Sequence, residues 1–338
     1  MRVLLLFGGR SAEHDVSVVS VEFVRDVMRE TGQETVMIGI GTDGSWTLGE
    51  EVLSIRTGRP RWTLLGGKGE IPFDLVFPVL HGPFGEDGTV QGLCMMAGWP
   101  FAGAGVMTSS VAMNKVTTKE LAAAHGIPVV PWKAFMRRDP PDATSVEEIG
   151  YPLFVKPARM GSSVGVSRVE SSGALEKAVE LAFRYDNLIL VEKGIESARE
   201  IEVALLSEDG LVSSSVPGEI EPGLEWYDYT AKYDCAESRL LIPAPISDTL
   251  GSTVRRYAER CFSILGGSGF ARADFLLDGD GSVYFNEINT IPGFTGISMF
   301  PKLWEATGVS SAEVIERIVR EALRRHAESC RNSTEVSS

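Results

Sequence analysis

The 338 residues carry 46 acidic against 32 basic side chains, a formal net charge of -14, with 43% hydrophobic residues and 36 glycines. That length holds two or three domains of ordinary size, each with its own core, and the acidity excludes a nucleic-acid surface, which needs clustered Lys and Arg against phosphate. Cys94, Cys235, Cys261 and Cys330 are far apart and form no CxxC pair, so neither a disulfide framework nor a zinc site is expected and a reducing cytoplasm suits the chain.

The chain opens on an apolar run, Val3 to Phe7, too short for a signal-peptide core, which reads as a first strand. No membrane-spanning run of about 20 apolar residues is found elsewhere. A helix to about Met28 follows, with Val16, Val19, Phe23 and Val27 on one face. The turn between them, "GGRSAEHD", is crowded with polar chemistry, including Glu13 and His14. Further strand patterns, "ETVMIGI" and "FDLVFPVL", predict parallel strands joined by helices, with ligands at the strands' carboxyl ends. Both the Glu13 turn and "HGPFGEDGTVQG", which begins at His81, lie at such ends.

A second region starts near Thr108. "SVAMNKVTTKELAAAHGIP" reads as one helix closed by Gly126 with Pro128 beyond. "PLFVKPARMGSSVGVSRV", a helix around 172–185 and "NLILVEKGI" come next. Strands dominate from Arg199, in "REIEVALLSEDG" and "FARADFLLDGDGSVYFNEINT", before a closing helix from about Ser310 to His326 and a polar tail.

In "ARADFLLDGDGSVYFNEIN" two strands flank the turn signal Asp278-Gly279-Asp280-Gly281 and are expected to pair antiparallel. With Gly279 and Asp280 as the two loop residues, Arg272 falls opposite Glu287 and Asp274 opposite Phe285. Alternation then projects Arg272, Asp274, Glu287 and Asn289 from one face. Two carboxylates and an amide oxygen suit Mg²⁺, which takes a few protein oxygens and completes its octahedron with water and phosphate. A solvated hairpin face with chance acids is the bland alternative, and four polar groups on one face among apolar neighbours argue against it.

"KPARMGSSVGVS" ends a strand at Lys156 and continues into a loop with Gly161, Ser162, Ser163 and Gly165. Glycines admit a phosphate close to the backbone, and serines with exposed N–H groups supply donors. The loop lacks the Gly-Lys-Ser/Thr ending of a Walker motif and would alone pass for a flexible turn. Lys115, Glu192 and Lys193 are each weak signals, readable as a surface lysine and a strand end. Together with the hairpin they form the parts of one nucleotide site.

Taken in order, "FGGRSAEHDVS", "HGPFGEDG", "KPARMGSSVG", "YDYTAKY" and "NEINTIPGFT" resemble the D-alanine–D-alanine ligases of the ATP-grasp superfamily, over nearly the whole chain. The resemblance implies an α/β ATP-grasp fold with an N-terminal parallel-sheet α/β domain (1–108), a central ATP-grasp subdomain (109–198), a C-terminal catalytic subdomain (199–330) and a tail (331–338). It also implies that ATP phosphorylates the carboxylate of one D-alanine and that the amine of a second attacks the acyl phosphate, for peptidoglycan precursors of the cell wall.

By the same resemblance Lys115 and Lys156 contact phosphate beside the Ser162–Ser163 loop, and Glu192, Lys193, Ile195 and Glu200 form the adenine and ribose pocket. Asp274, Glu287 and Asn289 hold two Mg²⁺ ions, for which Mn²⁺ can substitute. Glu13 holds the first D-alanine's ammonium, networked with Ser162 and Tyr233, with His81 nearby. Arg272 and the Gly293 backbone stabilise the tetrahedral oxyanion, and Ser298 grips the second carboxylate. "EWYDYTAKYDCAESR" acts as a lid that brings Lys232 to the γ-phosphate and excludes water. Tyr233 favours the dipeptide over a D-alanyl-D-lactate ester. A cytoplasmic homodimer is expected.

Competing readings are a non-catalytic nucleotide-binding module, disfavoured by the presence of Arg272 and the metal carboxylates, and a dinucleotide oxidoreductase, disfavoured because "GGRSAEHD" lacks GxGxxG. A ligase joining D-alanine to D-serine or D-lactate is closer. Gly296, where serine is commoner among relatives, stands near the second-substrate pocket. His14 is expected only to order its turn, and His125 and His326 to sit at helix ends.

Overall fold

The computed structural model describes residues 1–58, 60–221 and 239–331. Strands β1 (Arg2–Gly8) and β2 (Glu34–Ile40) pair in parallel, and β3 (Trp46–Leu48) and β4 (Glu51–Val52) extend the β2 edge antiparallel. Strands β5 (Ser54–Arg56), β6 (Thr63–Gly66) and β7 (Gly69–Glu70) make a separate small sheet, and β8 (Leu75–Pro78) returns parallel to β1, giving the order β4-β3-β2-β1-β8. The parallel core of this sheet is what the alternating sequence pattern predicts.

Helix α1 (His14–Glu30) buries Ser17, Ser20, Val21, Val24, Val27 and Met28. Val19 is 60% exposed, so the expected Val16–Val19–Phe23–Val27 face is displaced. The cause is polar. Ser17 Oγ donates to the Val79 carbonyl and accepts from Gly8 N–H, and Ser20 Oγ meets His81 Nε2 at 3.2 Å. Two serines that satisfy buried partners outweigh the burial of one valine.

After α2 (Thr89–Ala97), the single helix expected around Lys115 is two: α3 (Val106–Met113) and α4 (Lys115–Ala124). Asn114 separates them with extended backbone, and its side chain accepts Thr117 N–H at 3.3 Å as the cap of α4. The break sets Lys115 at the first turn of α4, where its N–H donates to Ala158 O at 2.9 Å.

A four-stranded antiparallel sheet, order β11-β10-β12-β9, is built from β9 (Trp132–Met136), β10 (Leu153–Pro157), β11 (Ser167–Val169) and β12 (Leu188–Lys193). Helix α5 (Leu175–Tyr185) buries Ala178, Val179, Ala182 and Phe183 against it. The next sheet comprises β13 (Arg199–Glu208), β14 (Leu211–Ser214), β15 (Gly218–Glu221), β16 (Arg239–Leu241), β17 (Gly269–Leu277) and β18 (Val283–Asn289), ordered β16-β15-β13-β17-β18 with β14 on β13. Helix α6 (Asp248–Ile264) packs beneath it, and α7 (Met299–Ala306) and α8 (Ser311–Ser329) close the described chain. Ser310 caps α8 on Glu313 N–H at 3.2 Å, close to the start expected for that helix.

The β17–β18 hairpin departs from its expected register. Asp274 pairs with Glu287 and Arg272 with Asn289, while Phe275 pairs with Phe285, so Asn286 is an extra residue in β18. Asp278 N–H donates to Ser282 O, which makes the loop longer than two residues. The four polar groups still share a face, because the bulge resets the alternation after Phe285.

One core runs across units that are distant in sequence. Val3, Leu5, Val21 and Val24 pack with Phe270, Phe294, Phe300, Trp304, Ile315 and Ile318. The opposite face of the first sheet, with Leu4, Leu6, Ile38 and Trp99, has a core from the first hundred residues alone. The expected lid, with Lys232 and Tyr233, lies outside the described residues, as do Cys235 and positions 332–338 of the tail.

Candidate active site

Glu13 occupies the N-cap position of α1, without a side-chain capping bond, just past the carboxyl end of β1, and is buried. Ser162 Oγ donates to Glu13 Oε1 across 149 residues of chain. The two surrounding loops come so close that a Cβ on Gly82 or Gly161 would stand 2.5 or 2.9 Å from Glu13 Oε2, and Gly82 also holds a φ of 71° that favours glycine. Ser162 and Ser163 hold φ of 47° and 58°, an uncommon backbone for serine that turns the loop back on itself over Glu13. Asp186 fixes the root of this loop through Arg159, accepting its N–H and guanidinium at 3.0 Å.

His81 is buried, with Nδ1 2.9 Å from Ile291 O and Nε2 on Ser20. Burial lowers its pKa, against the pull of nearby Glu13, so neutral imidazole is favoured. Glu86 accepts N–H bonds from Gly82 and Ile291, both at 2.9 Å. Burial, reinforced by Glu13, raises its pKa to about 8 even though those two donors favour the anion. His81 and Glu86 thus grip both polar groups of the Ile291 peptide, tying the first loop cluster to "NTIPG".

Across the cleft, Arg272 holds Asp274 in a two-bond fork, both bonds 2.7 Å, and meets Glu202 at 3.1 Å. Burial opposes its charge, but Asp274 and Glu202 more than compensate and keep the guanidinium firmly protonated. Glu202, Asp274 and Glu287 face each other across three adjacent strands, which makes a row of carboxylates. Asn289 Nδ2 donates to Asp274 at 2.9 Å. Lys115 Nζ reaches Glu287 at 2.9 Å and Met160 O at 2.8 Å; burial works against its charge, and Glu287 raises its pKa overall.

Hard oxygen donors from Asp274, Glu287 and Asn289 on one face match what Mg²⁺ takes, so the residues fit that ion. No group of three or more His, Cys, Asp or Glu side chains forms a self-sufficient metal cage among the described residues.

Glu192 lies buried between Lys156 at 2.5 Å and Lys119 at 3.1 Å. Lys193 Nζ is turned back onto the carbonyls of Gly150 and Tyr151. A cavity of about 300 Å³ opens there, lined by Lys193, Ile195, Val130, Pro131, Pro152 and Tyr284. Glu200 stands on β13 opposite Leu276 and is not among its lining residues. Ser298, at the start of α7, accepts Thr295 N–H at 3.1 Å, and a Cβ on Gly293 would stand 3.2 Å from its Oγ. A side chain on Gly296 would meet the Phe23 ring at 3.4 Å.

Lys119, Glu202 and Glu86 join the site although the sequence motifs do not single them out. Lys119 follows Lys115 by four residues, one helical turn on the same face, and Glu202 follows Glu200 by two on one strand face; both periodicities were there to be read. Glu86 sits within the quoted "HGPFGEDG". His14 does order its turn, with Nδ1 2.8 Å from Gly9 O.

The family model described as D-ala D-ala ligase N-terminus matches residues 2–104, and that for the C-terminus matches 121–320. The chain belongs to the D-alanine–D-alanine ligase family. The D-alanine–D-alanine ligase of Heliobacterium modesticaldum is 45% identical, covering 98% of this chain and 97% of that one. The solved D-alanine–D-alanine ligase of Coxiella burnetii superposes with a TM-score of 0.87 at 32% identity, covering 98% of this chain and 96% of that chain. The D-Ala:D-Ser ligase VanG of Enterococcus faecalis gives 0.84 at 32% identity, covering 95% and 99%. The fold is therefore the ATP-grasp fold of this ligase family, with the cleft between the β9–β12 sheet and the β13–β18 sheet.

Proposed function

We propose that this chain joins two D-alanines to D-alanyl-D-alanine at the expense of ATP, through an acyl phosphate. The observation that carries the reading is the Glu13–Ser162 contact, which brings a buried carboxylate from the first strand-to-helix turn against the glycine loop of the nucleotide cleft. A substrate ammonium requires a carboxylate partner, and Glu13 supplies one at the start of α1.

In this reading Glu13 and Ser162 seat the first D-alanine, with His81 behind them. Lys115 and Lys156 draw the phosphates, and Lys193, Ile195, Glu192 and Glu200 border adenine and ribose. Asp274, Glu287 and Asn289 hold two Mg²⁺ ions, replaceable by Mn²⁺, and when bound the ions neutralise phosphate charge. Lys115 and Arg272 balance those carboxylates before nucleotide arrives. Arg272 and the Gly293 N–H then donate to the oxyanion formed when the second amine attacks, and Ser298 holds the second carboxylate. Lys232 and Tyr233 complete the site from the lid segment.

The three units 1–108, 109–198 and 199–330 are proposed as the working parts, with a cytoplasmic setting. A homodimer belongs to the same reading. Among the described residues no helix is long and apolar enough to cross a membrane.

The D-serine alternative is not favoured, because relatives at 40–45% identity over the full chain bear the name D-alanine–D-alanine ligase. Phosphate release from ATP and Mg²⁺ should match D-alanyl-D-alanine one for one with D-alanine alone. A mixed product formed preferentially when D-serine or D-lactate is added would reject the assignment of the second substrate. Light scattering of the purified chain tests the dimer.

A further inference from the structure

Lys119 is walled in. Its side chain has no exposed surface, Nζ donates to Phe285 O at 3.3 Å, and it faces Glu192 Oε2 at 3.1 Å. The other oxygen of Glu192 holds Lys156 Nζ at 2.5 Å. Two buried lysines therefore share the one carboxylate of Glu192. Lys156 differs in its setting: it keeps 10% of its side chain exposed, stands near the end of β10 before the glycine loop, and makes a long second contact, 3.4 Å, to Asn286 Oδ1.

Of the two lysines, only Lys156 can turn toward a triphosphate. Were it the sole counter-ion of Glu192, that turn would leave a buried carboxylate uncompensated, and a buried charge stripped of its partner is strongly unfavourable. We propose that Lys119 is a positioning residue for nucleotide binding, which keeps Glu192 compensated and in place so that Lys156 is released to phosphate. The inference rests on the nucleotide reading of this cleft. Its structural rival is that Lys119 merely staples α4 to β18 through the Phe285 carbonyl.

The test uses the full chain, with ATP and Mg²⁺ titrated calorimetrically and KM measured separately for ATP and D-alanine. In Lys119→Met, ATP affinity should fall by about tenfold or more while KM for D-alanine stays within about twofold, as expected when a buried charge loses its partner. Lys119→Gln keeps a donor for Phe285 O without the charge and should lose as much; wild-type ATP affinity in that variant would assign the lysine to stapling and overturn the proposal. With Glu192→Gln as background there is no carboxylate to compensate, so adding Lys119→Met should cost nothing further, and additive losses would also overturn it. If Lys119→Met fails to fold, Lys119→Gln and the double variant decide. An unaltered enzyme that binds ATP but makes no dipeptide would reject the proposed reaction and leave this inference standing, whereas normal ATP binding by the variants of an active enzyme would reject the inference alone.

Discussion

Arg272 combines tasks that an ammonium cannot. Its planar fork binds both oxygens of Asp274 while the same group faces Glu202, so it orders the carboxylate row, and in the proposed reaction it also carries a donor to the oxyanion. Arg272→Lys keeps the charge and loses the fork, and kcat should fall by roughly 10²–10³, the usual loss for an oxyanion donor, with a smaller change in KM for ATP. Steady-state kinetics checks this. Glu86 makes a prediction with a sign. An acid whose pKa rises from 4.5 to about 8 on folding keeps a proton that the unfolded chain releases, so its contribution is most favourable below about 4.5 and is lost as pH rises to about 8. The slope is on the order of 1 kcal/mol per pH unit inside that window. Thermal melts should show stability declining from about pH 5 to pH 8, and Glu86→Gln should flatten that decline.

At the scale of elements, Asn114 decides where α4 begins and so where Lys115 stands. Asn114→Ala should cost about 1 kcal/mol in urea unfolding, as lost caps do, and should also raise KM for ATP because the first turn frays. A helix interior that tolerates asparagine and a cap that prefers it look alike to a hydrophobic pattern, so the α3–α4 break was not legible. The hairpin was legible in the respect that mattered. Alternation alone put Arg272, Asp274, Glu287 and Asn289 on one face, but an extra residue leaves no trace in composition, and the pairing partners came out shifted. The α1 face was misread for a different reason: Ser17 and Ser20 are drawn inward by partners at Val79 and His81, about 60 residues away, and tertiary hydrogen bonding of that kind is invisible to local periodicity. Glu13, Ser162 and Lys156 are legible through the family motifs that carry them, since the glycine loop alone would pass for a flexible turn. Lys119 carries a positional signal, one helical turn beyond Lys115, but an alanine-rich helix gives no local sign that the lysine is buried.

For the whole molecule, the decisive feature is the core that joins β1 and α1 to α7 and α8. Ile315 is fully buried in it, and Ile315→Ala should cost about 2–5 kcal/mol. Because the first and last units share this core, calorimetry should show them losing structure in a single transition, with the variant's transition shifted down as one. Two separated transitions would contradict a shared core. Within β1 the division is by parity: Leu4 and Leu6 face a core made from the first hundred residues, whereas Val3 and Leu5 face Phe300, Trp304 and Ile315. During synthesis the first face can therefore close early, while the second waits for partners made more than 200 residues later. At about 5–20 residues per second that interval is roughly 10–40 s. A ribosome-arrested chain ending before Met299 should then keep the Val21–Val24 stretch of α1 open to protease until the last two helices are translated. The pocket around Glu13, begun by the first residues to emerge, would be among the last parts of the enzyme to be finished.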